Sequence, residues 1–496
     1  MYARTIFLFT LAGTLSSTDG FAQRAAQRPS PAPREIVARA VAAMGGEQAL
    51  RGIRAVTTEF YGVTFALGQE ETPGSPARVT ATVARILADY AGGRRLSTLE
   101  SRTVQGQVIR QRRVIQGDLG MVETDGRPAA AQPALVRTEQ GSLRRPAERL
   151  LLAALDNPAA LRPLAPKPWR GEPMDGVRYA ASPDTLDLWF DRRSGLLTVT
   201  ETLSDDPILG DRRTVAWFTR WQPAGGVRFA RQYDVEVNGR LQTHSVFTAV
   251  TVNPETPDSL FAIPDSIRSQ AQPGSTPPPR MSVTLVELAP GVWRAEGGSH
   301  FSLVVDQGAR LLVVEAPLGA ARFGAVLDTL RSRFPGKPVG LVVMTHHHWD
   351  HSGGIRAALA AGLPVAAHAR NARFVREVAA ARHTLEPDPL SRTPRAPALR
   401  AVEDSLVLGD GATRVVVYTL PTAHTEGMLA AYVPAARLLF VSDVLSPAAT
   451  LAPAGSAELA AFARARGLEI GRVAGGHGGV AEWADVARAA AGAGGN

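Results

Sequence analysis

The chain has no cysteine among its 496 residues. That absence excludes a disulfide framework, a Cys-ligated metal and a thiol nucleophile, so any metal must be held by His, Asp or Glu. Lysine is nearly missing too: of 54 basic residues only Lys167 and Lys337 are Lys, and such an Arg bias reads as surface composition. The net charge of +8 is spread rather than clustered. Residues 283–496 carry 20 basic against 18 acidic side chains, and the first 282 residues carry 34 against 28. The near-balance of the C-terminal part argues against a nucleic-acid partner, because phosphates are neutralised by clustered cations. No apolar run approaches the ~20 residues of a membrane-spanning helix. Apolar residues make up 45% of the chain, as in globular proteins, and the length predicts two or three domains.

The first 23 residues combine Arg4, a short apolar run from Thr5 to Leu15, and small residues Gly20 and Ala22 before Gln23. This three-part pattern predicts a secretory signal peptide over 1–22, cleaved near Ala22. The expected location is the periplasm or outside the cell. Residues 23–33 read as a disordered leader.

An amphipathic helix is predicted next, with Ile36, Val37, Ala40, Val41 and Met44 on one face and Gly45-Gly46 as its stop. From about Val56 to Phe261 short alternating strands dominate: 186–191, 196–203, 214–221, 227–237 and 243–252. Turn residues such as Asn238-Gly239 join them, which predicts one antiparallel sheet over 34–268, with a second helix at 145–161. Residues 269–282, rich in Pro, Gly, Ser and Gln, read as a linker. From 283 to 496 the texture changes: strand pairs come first, then helices and strands alternate. Expected helices lie at 320–334, 355–361, 370–382, 457–466 and 480–491, with a Pro-rich loop at 384–398. The overall expectation is a mixed α/β and α+β chain, an antiparallel sheet domain with helices followed by an αβ/βα sandwich.

The buried strand 339–344 runs directly into His346-His347-His348-Trp349-Asp350-His351, and Ser352-Gly353-Gly354 opens a helix. Strand, tight loop and helix start make a rigid mount for a site. In an extended loop the alternate residues His346 and His348 point the same way and can grip one metal, while Asp350 and His351 face a second. Borderline metals such as zinc take imidazole nitrogen and carboxylate oxygen readily. His424, Asp443 and His477 stand at the ends of further predicted strands, where a buried ionisable group needs a strong partner. Nine of the ten histidines lie after residue 299, in the segment with this motif. His347 is expected to turn away and pack. Trp349 and His300 are candidates for the substrate side of the site, as is His383. His244 and His368 read as structural.

The H-x-H-x-D-H spacing, followed in order by His424, Asp443 and His477, resembles the metallo-β-lactamase superfamily over roughly 285–490. The resemblance implies that His346, His348 and His424 bind one metal and that Asp350, His351 and His477 bind the other, with Asp443 as the bridge. It also implies two zinc ions per chain, a metal-bound hydroxide as nucleophile, and Asp350 as the group that orients it. Asp443 stands where the best-known lactamases carry Cys. The chain is therefore similar to the glyoxalase-II-like arrangement or to the Cys-free lactamases, whose pattern HTEGM…FVSDVLSP resembles. His348 departs from the flavo-diiron pattern, which has Glu there. Glu315 stands where many members carry a structural Asp. The N-terminal part resembles the periplasmic lipoprotein-carrier fold through its opening helix with Gly45-Gly46, the LWFD…SGLL hairpin and the ending at 253–264.

The expected function is an exported hydrolase of a small-molecule ester, thioester, lactone or lactam. Two alternatives use the same features. One is a mononuclear iron persulfide dioxygenase on the same ligand set. The other is a hydrophobic-ligand binding protein acting through the N-terminal sheet.

Overall fold

The computed structural model describes residues 31–103, 106–277, 281–448 and 450–492; the expected signal peptide and residues 23–30 of the leader lie outside them. Among the described residues no helix is long and apolar enough to cross a membrane.

The first helix, Pro33–Met44, begins with Pro at its first turn, where the missing N–H costs nothing. It ends at Gly45 (φ +131°), where a Cβ would lie 2.5 Å from the Gly226 carbonyl oxygen. Its buried face is the expected stripe of Ile36, Val37, Ala40, Val41 and Met44. That stripe packs with Leu150, Leu151 and Ala154 of helix Ala147–Asp156 onto Val177, Leu188, Phe190 and Leu197 of a large sheet. Each such fully buried aliphatic side chain contributes roughly 1.5–3 kcal/mol, which docks both helices.

The sheet has 13 strands, every described pairing antiparallel. Its order is two meanders. One runs from Ala55–Ala66 outward to Arg127–Ala130, the other from Arg240–Val252 back to Leu161–Trp169, and the two join where Ala55–Ala66 pairs with Arg240–Val252. Alternation sends Leu188 and Phe190 to the helices and Trp189 to the opposite face, beside Trp217 and Val199. There Lys167 sits 4.1 Å from the centre of the Trp189 ring, a cation–π contact that covers this second face.

The C-terminal part is built from two sheets. Seven strands run from Thr284–Ala289 to Leu399–Val402, and six from Ser405–Leu408 to Val480–Glu482. Alternate residues divide cleanly. Leu312, Val314 and Val343 meet Val417, Leu429 and Phe440 between the sheets. Leu311, Val313 and Val342 face outward against Phe323, Val326 and Ile355. On the far side, Leu439, Val441 and Val473 pack on Leu459, Phe462 and Val486 of the helices Pro453–Arg466 and Trp483–Gly492. The layers are helix, sheet, sheet, helix, as expected.

Several expected elements shift. The helix predicted at 145–161 stops at Asp156, because Asn157 leaves helical geometry before Pro158 and only a short 3-10 turn follows. The last helix starts at Trp483 rather than 480, since Val480–Glu482 pairs with Arg472–Gly475 as an edge strand. A helix at Pro133–Arg144 lies where the sequence pattern predicts none. Its buried residues include Glu139, which lies 3.2 Å from Arg113 and also contacts Arg95, so no apolar stripe announces it.

Two hairpins of the large sheet reach the C-terminal sandwich. One is the connection between Leu197–Asp206 and Gly210–Ala224. Asp205 Oδ1 lies 2.8 Å from His383 Nδ1, and the Asp211 carboxylate accepts from the Thr384 amide (2.7 Å) and hydroxyl (2.8 Å). His383, a candidate for either a substrate cleft or a structural role, is buried in this contact and takes the structural one. The Pro-rich loop is tied down at its other face by Arg356, whose guanidinium donates to both Asp388 oxygens (2.7 and 2.9 Å) and to the Val378 carbonyl (2.6 Å). Arg356 is 3% exposed, so Arg356→Ala leaves the half-buried Asp388 carboxylate without its cationic partner, held only by the Ser391 amide and hydroxyl. The expected cost is roughly 3 kcal/mol, read as a lowered thermal midpoint by circular dichroism; an unchanged midpoint would contradict the buried-pair assignment.

Candidate metal centre

The site is assembled from strand ends. Val339–Met344, Val415–Thr419, Leu438–Val441 and Arg472–Gly475 lead into His346–His351, His424, Asp443 and His477 respectively. The first turn is tight: after His351 a Cβ at Gly353 would sit 2.5 Å from the Leu318 carbonyl oxygen, and one at Gly354 2.7 Å from Phe323 Cβ. Only Gly lets this helix start lie so close to the neighbouring loop and helix.

These side chains converge. His346, His348, His424 and Asp443 bring one ligand atom each within 4.8 Å of one another, and Asp350, His351 and Asp443 do the same. Asp443 lies between the two groups. Its Oδ2 is 3.0 Å from His424 Nε2 and 3.6 Å from His346 Nε2, while its Oδ1 is 2.8 Å from His351 Nε2 and 2.5 Å from His477 Nε2. One carboxylate oxygen thus serves each half of the cluster.

The opposite ring nitrogens are held by other groups. Glu315 Oε2 is 2.9 Å from His351 Nδ1, and Glu315 Oε1 accepts from the Thr345 hydroxyl (2.8 Å). Ser446 Oγ is 2.7 Å from His477 Nδ1, and Thr345 Oγ1 is 3.1 Å from His346 Nδ1. His348 is turned the other way, with Nε2 2.9 Å from a carbonyl and Nδ1 3.0 Å from His424 Nε2. Each of these rings therefore directs its remaining nitrogen inward.

Electrostatics favour a cation at the centre. Burial pushes His346 well below the ordinary imidazole range and His348 down to about 4, so both rings are neutral and offer lone pairs at pH 7. His351 is the exception: burial acts to lower it, but the Glu315 and Asp443 carboxylates hold it well above that range. For Asp443, burial acts upward, and the four surrounding histidines hold it well below the carboxylate range. Asp350 is likewise kept ionised against its burial, by His300, His351 and Gln69. The Nε2 atoms of His346 and His351 are buried and make no well-aligned hydrogen bond among the described residues, with the Asp443 carboxylate 3.6 and 2.8 Å away. Orphaned imidazole nitrogens beside buried carboxylates suit a bound divalent ion, and the donor set of His nitrogen and Asp oxygen suits zinc.

Residues 295–477 match the family model described as "Metallo-beta-lactamase superfamily". The C-terminal domain has the metallo-beta-lactamase fold. A curated relative, the 2,4-dinitroanisole O-demethylase subunit alpha of Nocardioides sp. (strain JS1661), is 28% identical over 164 residues, covering 33% of this chain and 47% of that protein. The chain thus spans about half the length of that relative. Among solved structures, a metallo-beta-lactamase from Pontibacter korlensis aligns over 41% of this chain and 95% of its own, at 15% identity and a TM-score of 0.32. The FIM-1 metallo-beta-lactamase of Pseudomonas aeruginosa in its mono-zinc form aligns over 43% and 98%, at 18% identity and a TM-score of 0.34.

The remaining candidates divide around the metallo-beta-lactamase domain. His300 stands inside the cluster: its Nε2 is 3.5 Å from Asp350 Oδ2, and its ring centre is 4.8 Å from that of His351 and 5.0 Å from that of His477. Its ligand atom also falls within 4.8 Å of those of His351 and His477. Trp349 is 47% exposed beside the site, its ring edge 3.8 Å from where a Cβ on Gly68 would be. His347 is buried and packs edge-on against Phe374. His244 pairs with Asp234 (2.6 Å) on the large sheet, and His368 Nδ1 accepts from the Arg370 amide (3.2 Å).

Sequence pattern does not reveal the groups that reach this site from the N-terminal sheet. Gln69 Nε2 donates to Asp350 Oδ1 (2.9 Å), and the carbonyl opposite His348 Nε2 is that of Glu70. The one available signal is length. The connection 67–77 is far longer than the two to five residues of an ordinary hairpin turn, and long connections are often functional.

Proposed function

We propose that the metallo-beta-lactamase domain is a metal-dependent hydrolase with a two-zinc centre, acting on an ester, thioester, lactone or lactam. The observation that carries this reading is the placement of Asp443 between two groups of inward-facing histidines, one oxygen toward each. In this reading His346 Nε2, His348 Nδ1 and His424 Nε2 form one ligand set. Asp350, His351 Nε2 and His477 Nε2 form the other, and Asp443 bridges. Zinc ions bound there supply Lewis acidity and bring a water close to ionisation at neutral pH.

The chain's own residues do the rest. Glu315 accepts from His351 Nδ1 and so leaves Nε2 free to ligate; Ser446 does the same for His477. Asp350, kept ionised by Gln69 and His300, is an acceptor for the hydrogen of the attacking water and can take its proton. His300, next to Asp350, is the nearest group to carry that proton onward to a leaving group. Trp349 forms an exposed wall at the rim. The apolar segment Thr5–Leu15 supports an exported location.

Glu315→Gln is expected to weaken zinc binding about 10- to 100-fold, because the amide is a poorer acceptor for His351. Competition against a chromophoric chelator measures it, and unchanged affinity would remove Glu315 from this role. The reaction class is tested with a panel of lactam, lactone, thioester and phosphodiester substrates, each with and without chelator. Since one relative is named as an O-demethylase, 2,4-dinitroanisole joins the panel. Chelator-sensitive turnover of an ester, thioester, lactone or lactam supports the proposal. Turnover of the aryl ether alone would replace it with ether cleavage.

A further inference from the structure

The strands Ala55–Ala66 and Arg78–Asp89 of the N-terminal sheet pair along their whole length, ending on Ala66 opposite Arg78. The connection between them leaves the sheet and lies across the metal centre. It touches both segments that supply the first ligand set. On the motif side, the Glu70 carbonyl is 2.9 Å from His348 Nε2 and the Gln69 carboxamide donates to Asp350 Oδ1 at 2.9 Å. On the His424 side, the Glu71 carbonyl accepts from Thr425 Oγ1 (2.6 Å) and the Glu426 amide (3.0 Å), and the Arg78 guanidinium donates to the His424 carbonyl.

The loop is itself braced. The Glu70 side chain is 2% exposed and lies 2.6 Å from Arg240 of the adjoining strand Arg240–Val252. Ser75 closes a turn through its hydroxyl, which donates to the Thr72 carbonyl (2.9 Å). The Glu70 carbonyl therefore has a fixed position over His348.

A carbonyl can only accept. The hydrogen of His348 must therefore sit on Nε2, leaving the Nδ1 lone pair to face His424 and Asp443. For His346, His351 and His477 the orienting group is a side chain of the C-terminal domain itself: Thr345, Glu315 and Ser446. For His348 it comes from a residue 278 positions earlier.

We propose that the N-terminal sheet domain is a structural part of the metal centre. Its 67–77 connection sets the ligating nitrogen of His348 through the Glu70 carbonyl and the orientation of Asp350 through Gln69. Glu70 and Gln69 are positioning residues, and the two domains form one functional unit. This rests on the two-metal reading above.

The test uses the full chain with two changes. In one, residues 67–77 are replaced by Asn-Gly, a turn that joins the paired strands directly. In the other, Gln69→Ala removes a single side chain. Zinc affinity is measured by chelator competition, and the visible spectrum of the cobalt(II)-loaded protein reports ligand geometry. The loop replacement is expected to weaken metal binding about 10- to 100-fold and to shift the cobalt bands. Gln69→Ala is expected to shift the bands while leaving the thermal midpoint of the protein unchanged. If the loop replacement does not fold, Gln69→Ala decides the matter alone. Wild-type affinity with unshifted bands in the folded variants would overturn the proposal. A wild-type chain that takes up no zinc or cobalt would instead overturn the metal-centre reading beneath it.

Discussion

Asp443→Ala is expected to empty the centre and stop turnover. The carboxylate faces both halves of the cluster, with an oxygen 3.0 Å from His424 Nε2 and another 2.5 Å from His477 Nε2. On the two-zinc reading proposed above, each half would then keep only part of its ligand set, and the charge shared between the two halves would be lost. Zinc content should fall from about two equivalents to below one, and kcat/KM by at least about 10³-fold, equivalent to about 4 kcal/mol of transition-state stabilisation. Metal analysis and hydrolysis rates on the same preparation check this together. A variant that keeps both metals would remove Asp443 from the bridge.

Asp350→Asn separates orientation from metal assembly. The carboxylate is fixed from two sides, by Gln69 at 2.9 Å and His300 at 3.5 Å, and Asn at this position keeps the shape while losing the proton acceptor. Loss of a positioned general base typically costs 10²- to 10⁴-fold, and a drop of about that size in kcat/KM is expected here. The His346, His348 and His424 site should remain filled. An unchanged rate would undo the role assigned to Asp350, and loss of all metal would make it a ligand first and a base second.

Much of the centre is legible in the sequence because its chemistry is local. His346 to His351 occupy six consecutive positions after one buried strand, where an apolar run breaks abruptly into side chains that could hold a metal. His424, Asp443 and His477 can be picked out because each follows a short apolar strand. Glu315 is legible as structural, but its grip on His351 is not, since 36 residues separate them and strand neighbours fix the contact. The roles of Gln69 and Glu70 are invisible for a stronger version of the same reason. Nothing near them in the chain is catalytic, and only the docking of two domains brings them to the site.

The fold shows the same division. Long periodic segments such as Pro33–Met44 and Ala320–Arg333 read correctly because their apolar stripes are buried. Leu399–Val402 and Ser405–Leu408 are four residues each, too short for alternation to stand out from the Pro-rich loop before them. Pro133–Arg144 escapes the sequence pattern because its buried face is anchored by Glu139 between arginines rather than by a run of aliphatic side chains.

If seven side chains of this protein hold two zinc ions that drive hydrolysis, metal content and turnover must rise and fall together. Plasma emission spectroscopy on the purified full-length protein, paired with turnover before and after chelation, measures both. Close to two equivalents of zinc per chain are expected, with ester or lactam hydrolysis lost on chelation and restored by added zinc. Clearly less than one equivalent of zinc with hydrolysis unaffected by chelation would refute the two-zinc hydrolase, as would a single iron with oxygen uptake on a persulfide.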